Sequence, residues 1–453
     1  MRVLLISTYE LGHQPLHVAS PAAALRRARH ELRCLDLSVQ PWDPDAVQWA
    51  QAVGFSVPMH TAMRLALGAA RRARREHPRL PTCFYGLYAT VSRELTAGEL
   101  GARTIAGEYE PALVAWVDGL AAPGAPAGAD QPIVHLQRGT FELPARELLP
   151  GLERYARLAM GEEERLVGYV EASHGCVHHC RHCPVPTVYD GRIRVVQAET
   201  VLRDVERLAA MGARHITFGD PDFLNGRRHS LAIVRALYQR VPQLTFDCTT
   251  KVEHVLEHAD IWPQMAAAGC LFVVSALESV NDEILERLDK GHTTAQAVSA
   301  IELLRDHGIE TRPSFMPFTP WTAPRDVLDI VNFVAAHDLV ANVDPVQYTI
   351  RLLVPEGSLL LGRDDLRKHL GPYQPERLSY SWRSADPAAD RLQGRLSALV
   401  QQSAAAQEPT SQAFARIRAA VREAAGDTDD SEPQAIDIGS TEGRPRLTEP
   451  WFC

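Results

Sequence analysis

The stretch GCVHHCRHC, residues 175–183, carries three of the chain's eight cysteines. Cys176, Cys180 and Cys183 follow the spacing C-x-x-x-C-x-x-C, and the mostly apolar run LVGYVEAS at 166–173 comes directly before them. A short apolar run next to a glycine and polar residues is typical of a buried strand. The loop that follows this strand therefore holds a dense set of thiols, which is typical of a metal centre.

Strand and helix patterns alternate from this loop to about residue 352. Helical stretches such as AETVLRDVERLAAMG at 198–212 separate the strand candidates. Those candidates are LVGYVEAS (166–173), HITFGD (215–220), LTFDC (244–248), LFVVSAL (271–277), GIETRPSFM (308–316) and PVQYTIRLL (345–353). Six strand–helix units predict a partial (β/α)6 barrel over 161–360, with its site at the C-terminal ends of the strands.

Residues 1–120 predict a separate α/β domain with a doubly wound parallel sheet. Its strand candidates are RVLLIST (2–8), LRCLDLS (32–38), AVGFSVP (52–58), PTCFYGLYA (81–89) and ARTIAGE (102–108). The Ala-, Pro- and Gly-rich run AAPGAPAGADQP opens a predicted linker over 121–160. Residues 361–453 are predicted to form a helical C-terminal extension and tail, with amphipathic helices at 388–407 and 411–426.

The bulk composition limits the classes of partner. The 453 residues carry a net charge of −9, which does not predict a nucleic-acid-binding protein. No apolar run approaches the roughly 20 residues of a membrane helix, and the N-terminus does not resemble a signal peptide. The other cysteines, Cys34, Cys83, Cys248, Cys270 and Cys453, are scattered. The scattered cysteines predict a cytoplasmic protein without a disulfide framework. The lack of a long apolar run predicts that it has no membrane partner.

The cysteine spacing alone leaves three kinds of centre open. A zinc site prefers four ligands, so His178, His179 or His182 would have to supply the fourth. A disulfide in this loop would leave an odd thiol. Three thiolates can also hold a 4Fe–4S cluster and leave one iron with an open position.

The motif and its place after the first strand of a six-unit barrel resemble the radical S-adenosylmethionine (SAM) superfamily. The resemblance implies that Cys176, Cys180 and Cys183 hold a 4Fe–4S cluster whose open iron binds SAM. It further implies one-electron cleavage of a carbon–sulfur bond in SAM, a small-molecule substrate, and an electron donor such as flavodoxin or ferredoxin.

The same resemblance implies several SAM-binding positions. FGDPDF at 218–223 matches the loop that holds the methionine amino group, and SALES at 275–279 matches the segment that binds the ribose and amino-acid part. MPFTPWT at 316–322 resembles the adenine-side loop, and RLLVPEGS at 351–358 resembles the end of the sixth strand. The candidates are Gly219, Asp220, Asp222, Ser275, Glu278 and His182, the last in the position that is usually aromatic. For Asp222, helix capping is an equal alternative.

Residues 1–120 resemble the cobalamin-binding-type domain that precedes some radical SAM barrels. The resemblance implies cobalamin at the C-terminal edge of the sheet, near Tyr9, Ser56, Thr61 and Tyr88. The signature D-x-H-x-x-G is absent, and His13 and His17 lack its spacing, so we expect no histidine on cobalt. The alternative is a domain that keeps the fold and serves as a lid or docking surface.

The tail LTEPWFC at 447–453 resembles the tails of a radical SAM group named for Cys-Sec-Ala-Glu-Pro or Cys-Cys-Ala-Glu-Pro. The resemblance rests on Glu449 and Pro450, whereas Arg446 and Leu447 occupy the paired thiol or selenol positions. Cys453 is then either a free exposed thiol or a group that the tail offers to the active site.

The most direct function is cobalamin-linked methyl transfer to an unactivated centre of a small molecule. The alternatives are cobalamin-independent radical chemistry, such as aminocarboxypropyl transfer, and an iron–sulfur electron-transfer or sensor protein. Arg312, Gln347 and Arg351 are candidates for choosing the substrate, with a structural role as the alternative.

Overall fold

A computed structural model describes residues 1–91, 94–121, 133–427 and 443–449. The first sheet has six parallel strands in the order β2-β1-β3-β4-β5-β6. These strands are β1 Arg2–Ser7, β2 Glu31–Asp36, β3 Ala52–Ser56, β4 Thr82–Tyr85, β5 Arg103–Gly107 and β6 Ile133–His135. The helices between them are α1 Leu16–Arg27, α2 Pro44–Trp49, α3 His60–Glu76 and α4 Tyr109–Ala121.

Alternation along β1 explains why helices cover both faces of this sheet. Leu4 and Ile6 belong to the apolar cluster that includes residues of α2 and α3. Val3 and Leu5 point the other way, into the cluster with α1 and α4. A strand that is apolar on both faces has to be covered twice, so the predicted doubly wound sheet is confirmed.

The second sheet is a partial barrel with strand order β14-β13-β12-β11-β8-β7-β17, in which β17 is the two-residue strand Arg446–Leu447 near the C-terminus. The strands of this region are β7 Arg157–Met160, β8 Glu163–Val170, β9 Ser173–Gly175, β10 Ile193–Val195, β11 His215–Phe218, β12 Thr245–Thr249, β13 Cys270–Glu278 and β14 Glu310–Phe315. The helices are α5 Val185–Tyr189, α6 Ala198–Ala210, α7 Arg227–Arg240, α8 Val252–Glu257, α9 Trp262–Ala267, α10 Asp282–Leu288, α11 Thr294–Asp306 and α12 Pro324–Ala336.

The predicted sixth barrel strand is wrong. Five strands, β8 and β11 to β14, run parallel, and Pro345–Thr349 forms a 3-10 helix instead of a sixth. The Gln347 side chain accepts a hydrogen bond from the Phe315 backbone N–H at 3.1 Å, where a sixth strand would have paired with β14. Only Arg351 forms a single parallel bridge, to Phe318.

The predicted linker over 121–160 contributes to both sheets. β6 pairs with β5 of the first sheet, and β7 pairs antiparallel with β8 of the second. The alternation signal misses β6 because three residues are too few to show a period.

The C-terminal extension contains the two predicted helices and further elements. Its elements are α13 Asp364–Arg367, β15 Leu370–Gln374, β16 Ser379–Trp382, α14 Pro387–Ala405, α15 Thr410–Ala424 and β17 Arg446–Leu447. The antiparallel pair β15–β16 was not predicted, and β17 joins the barrel sheet beside β7. No helix among the described residues is long and apolar enough to span a membrane.

Candidate active site

The cysteine loop follows β8 and the short strand β9. Cys176 and Cys180 are buried, Cys183 is half-buried, and none of them forms a disulfide. The backbone N–H of Arg181 donates to the Leu288 carbonyl at 2.8 Å, which fixes the loop to the end of α10. Gly175 begins the loop at φ +78°, and a Cβ there would lie 2.2 Å from the Arg192 carbonyl oxygen. Only glycine fits this approach.

The donor set fits an iron–sulfur cluster. Burial raises the pKa of the Cys183 thiol to about 12 and also raises the pKa of Cys176. A thiol with a raised pKa, such as Cys176 or Cys183, forms a stable thiolate when a cation such as iron compensates its charge. The loop histidines do not complete a zinc set, because His182 contacts Glu278, His179 lies near Asp190, and His178 faces Asp222.

Glu278 ends β13 and lies at the centre of a buried ionic group. Its carboxylate is 3.1 Å from His182 Nε2 and 3.3 Å from Lys290 Nζ. Burial alone would raise the pKa of Glu278, but Lys290 and His182 outweigh it and lower the pKa to about 2. Glu278 also adopts φ +64°, which is unusual for a side chain of this size and marks a candidate functional position.

The other SAM-side candidates lie at the same end of the barrel. A Cβ on Gly219 would overlap the Tyr169 hydroxyl at 1.9 Å. Asp220 accepts from the Ala172 N–H at 2.9 Å and the Ser173 hydroxyl at 2.6 Å, and burial raises the pKa of Asp220 to about 7. Asp222 accepts from the Leu224 N–H at 3.0 Å, so the capping role is realised.

Ser275 lies three residues before Glu278 on β13. By strand alternation it shares a face of β13 with Val273, which belongs to the main apolar cluster of the barrel. Its hydroxyl is buried and has no hydrogen-bond partner among the described residues. A SAM contact of Ser275 or of the other named residues therefore stays a prediction.

The loop after β1 lies at the C-terminal edge of the first sheet. Glu10 accepts from the Ser56 hydroxyl at 3.3 Å, and burial raises the pKa of Glu10 to about 7. Ser7 and Tyr85, at the ends of β1 and β4, keep buried hydroxyl oxygens without a partner among the described residues. Unpaired polar atoms at strand ends fit a groove that receives a polar ligand such as cobalamin.

Two family models match the chain. The model of the radical SAM superfamily matches residues 170–334, which contain the cysteine loop and β11 to β14. The model of the B12 binding domain matches residues 2–117. The chain contains a radical SAM domain and a B12-binding domain. Its radical SAM domain implies a 4Fe–4S cluster and SAM as cofactors, and the B12-binding domain supports cobalamin.

Known proteins resemble this chain at low identity. Hopanoid C-3 methylase of Methylococcus capsulatus is 24% identical over 345 residues, which cover 69% of this chain and 62% of that protein. TsrM of Kitasatospora setae is a radical SAM methyltransferase that was solved with its tryptophan substrate and a SAM analogue. Its structure has a TM-score of 0.63 at 18% identity, and the match covers 83% of this chain and 82% of the TsrM chain. The cobalamin-dependent SAM radical enzyme OxsB, solved with aqua-cobalamin and SAM, has a TM-score of 0.70 at 14% identity. The match covers 89% of this chain and 67% of the OxsB chain. These structures confirm the fold.

A buried ionic network joins the B12-binding domain to the radical SAM barrel. Glu171 follows β8, and its carboxylate lies 3.2 Å from both His17 Nε2 and His174 Nε2. The other nitrogen of His174 is 3.1 Å from Glu108, at the end of β5, and Glu108 also accepts from the Tyr189 hydroxyl at 3.0 Å. The network therefore connects the edge of the first sheet with the strand that enters the cysteine loop.

Most of this network was missed by the sequence analysis. Glu108, Glu171 and His174 are far apart in the chain or lie outside any motif, so no local signal could identify them. Lys290 was also missed, although a basic residue just after α10 is a readable signal. His17 was considered only as a cobalt ligand, and both of its ring nitrogens are already held by Glu171 and the Tyr109 hydroxyl.

The candidates for substrate choice have structural partners. Arg312 lies 3.2 Å from Asp344, and Arg351 contacts Asp390 at 2.7 Å. The Gln347 side chain accepts a hydrogen bond from the Phe315 backbone N–H. These contacts support the structural alternative for all three residues.

The tail reaches the interface between the two domains. β17 pairs with β7, and Glu449 accepts a hydrogen bond from the Tyr9 hydroxyl at 3.0 Å. Pro450 and Cys453 lie outside the described residues. The comparisons do not show the tail motif, so the role of the tail stays a prediction.

Proposed function

We propose that this protein is a cobalamin-linked radical SAM methyltransferase that acts on an unactivated centre of a small molecule. The observation that carries the proposal is the pairing of two sites. One buried network around Glu171 joins these two sites. The first is the loop of three free thiols at the barrel mouth, and the second is the edge of the B12-binding sheet where its strands end. A protein that only carried electrons would need neither the SAM barrel nor the second domain.

The bound cofactors supply the difficult chemistry, namely one electron for SAM cleavage and a carrier for the methyl group. The chain's residues bind and orient. Cys176, Cys180 and Cys183 provide the thiolates, and Glu278 offers a carboxylate that Lys290 and His182 keep ionised. The Glu171 network holds the two domains together through a carboxylate whose side chain is only 8% exposed.

We expect cobalamin to bind without a histidine on cobalt. His17 has no free ring nitrogen, because Glu171 and Tyr109 occupy both. The His13 ring packs against the Tyr169 ring of β8 at a centroid distance of 4.8 Å, on the barrel side of the interface. The electron paramagnetic resonance (EPR) spectrum of the cobalt(II) form should therefore lack nitrogen splitting on the lower cobalt face.

The remaining partners follow from the same chemistry. The protein takes single electrons from a donor such as flavodoxin or ferredoxin. We propose that it works in the reducing cytoplasm, as the scattered positions of its other cysteines in the sequence suggested. We propose that it has no nucleic-acid partner, because its net charge is −9, and no membrane partner.

The deciding experiment is an analysis of the SAM-derived products. The full chain is purified without oxygen, its cluster is reconstituted, and it is incubated with SAM and a reductant, with and without hydroxocobalamin. S-adenosylhomocysteine that forms only with added cobalamin supports methyl transfer. Methylthioadenosine without any need for cobalamin would favour aminocarboxypropyl transfer, and no SAM turnover at all would favour a sensor or an electron carrier.

A further inference from the structure

Three side chains beside the cysteine loop face one another with their metal-binding atoms. His178 lies in the loop, Asp222 in the turn after β11, and His254 on α8. One nitrogen of each imidazole and one carboxylate oxygen all lie within 4.8 Å of one another. His254 Nδ1 is 2.8 Å and His178 Nε2 is 3.7 Å from Asp222 Oδ2. We propose that these three residues bind a divalent transition-metal ion, separate from the iron–sulfur cluster.

The hydrogen bonds leave this position incomplete. Asp222 is fully buried, and its Oδ1 already accepts from the Leu224 N–H. Its Oδ2 accepts a long hydrogen bond of 3.4 Å from the Lys251 N–H and also faces the two imidazoles. His178 Nε2 is buried and has no hydrogen-bond partner among the described residues, since 3.7 Å is too long for one. An ion between the three atoms would complete the coordination of all of them.

The local charge favours a cation. Glu253 lies 3.6 Å from the other nitrogen of His178, so a second carboxylate is close to this group without a hydrogen bond to the ring. Lys251 is the opposing charge, 3.3 Å from Glu253. The fixed charges beside the two imidazoles are therefore two carboxylates, Asp222 and Glu253, against one ammonium, Lys251.

The donor set decides the class of ion. Two imidazoles and one carboxylate suit Zn²⁺, Fe²⁺ or Co²⁺, whereas Mg²⁺ and Ca²⁺ prefer oxygen ligands. Three protein ligands leave at least one position open. Because the ligands come from the cysteine loop, the turn after β11 and α8, the ion would fix the loop to the barrel mouth. This site does not depend on the reaction that the protein catalyses.

Cobalt(II) binding to the cluster-loaded full chain tests the site. The oxidised cluster is EPR-silent, so the spectrum of bound Co²⁺ is visible beside it. The protein, shown by its absorption spectrum to be free of cobalamin, is incubated with Co²⁺, desalted and analysed for cobalt, iron and electron spin echo modulation from imidazole nitrogen. We expect about one cobalt per chain, competed by Zn²⁺, beside about four irons.

Variants locate the ion. His254→Gln, which lies outside the loop, and His178→Gln should weaken cobalt retention by at least about tenfold at unchanged iron content. His179→Gln is the matched control, because His179 is in the same loop and its side chain is 53% exposed. It should retain cobalt like the wild type. The proposal is overturned if the wild type retains no cobalt, or if His254→Gln keeps both the cobalt and the imidazole modulation. Unchanged iron content and SAM binding in His254→Gln show that this variant is folded.

Discussion

The replacement Glu278→Gln tests whether the buried carboxylate at the end of β13 takes part in SAM binding. Glutamine keeps the size of the side chain and its φ of +64°, so the backbone strain is the same in both proteins. What changes is the negative charge that faces His182 at 3.1 Å and Lys290 at 3.3 Å. The experiment therefore isolates the charge from the shape.

The expected magnitude follows from two effects. If the carboxylate accepts a hydrogen bond from the cofactor, its loss costs about 1.5–3 kcal/mol, or roughly ten- to a hundredfold in SAM affinity. The replacement also leaves Lys290, which is 5% exposed, without its partner carboxylate. Breaking a buried ion pair from one side costs about 3–5 kcal/mol of stability, so the variant should also unfold at lower urea concentration.

The assay is anaerobic calorimetry of SAM binding to cluster-loaded protein, with iron content measured on the same sample. Glu283→Gln is the control, since Glu283 lies on α10 nearby and its side chain is 78% exposed. It should bind SAM like the wild type. Wild-type SAM affinity in Glu278→Gln, at full iron content, would refute the binding role and leave Glu278 as a structural partner of Lys290.

Three further predictions follow from the same contacts. Cys176→Ala should lose the 4Fe–4S cluster and SAM cleavage, measured by iron analysis and 5′-deoxyadenosine; a variant that keeps both contradicts the cluster assignment. Arg146→Met should lower the free energy of unfolding by about 3–5 kcal/mol, because it strands the Asp204 carboxylate 2.8 Å away in the core; adding Asp204→Leu should recover part of the loss in urea denaturation. Burial alone would lower the pKa of His17, but Glu171 and Glu10 outweigh it and raise the pKa from 6.5 to about 9. The raised pKa means that protonated His17 stabilises the folded protein fully below pH 6.5, and that this stabilisation is lost as the pH rises through 9. The melting temperature of the wild type should therefore fall over this pH range, and the fall should be smaller in His17→Gln.

The cysteine loop and most strands could be predicted because their signals are local. Eight residues contain all three cluster cysteines, and β1 and β8 are short apolar runs with readable ends. β13 is also a short apolar run with readable ends. The partial barrel followed from repeating such runs, which needs no knowledge of distant contacts.

The errors arise where a side chain replaces a backbone partner or an element is very short. PVQYTIRLL has the composition of a strand, but Pro345 cannot donate and Gln347 satisfies the edge of β14 with its side chain. The three residues of β6 carry no periodicity. The capping role of Asp222 could be named beforehand, but its position opposite His178 and His254 could not, because three separate elements bring them together.

The network around Glu171 explains how two cofactor domains can act as one site. Asp220 holds Ala172 and Ser173, the residues between Glu171 and His174, so the chain segment entering the cysteine loop is fixed from the barrel side. From the other side it is fixed by His17, whose domain carries the loop after β1. A shift of either domain would have to separate buried opposite charges, which is costly in a medium that screens little. These contacts therefore hold the cluster loop in a defined position relative to the C-terminal edge of the B12-binding sheet, which the proposed methyl transfer would use.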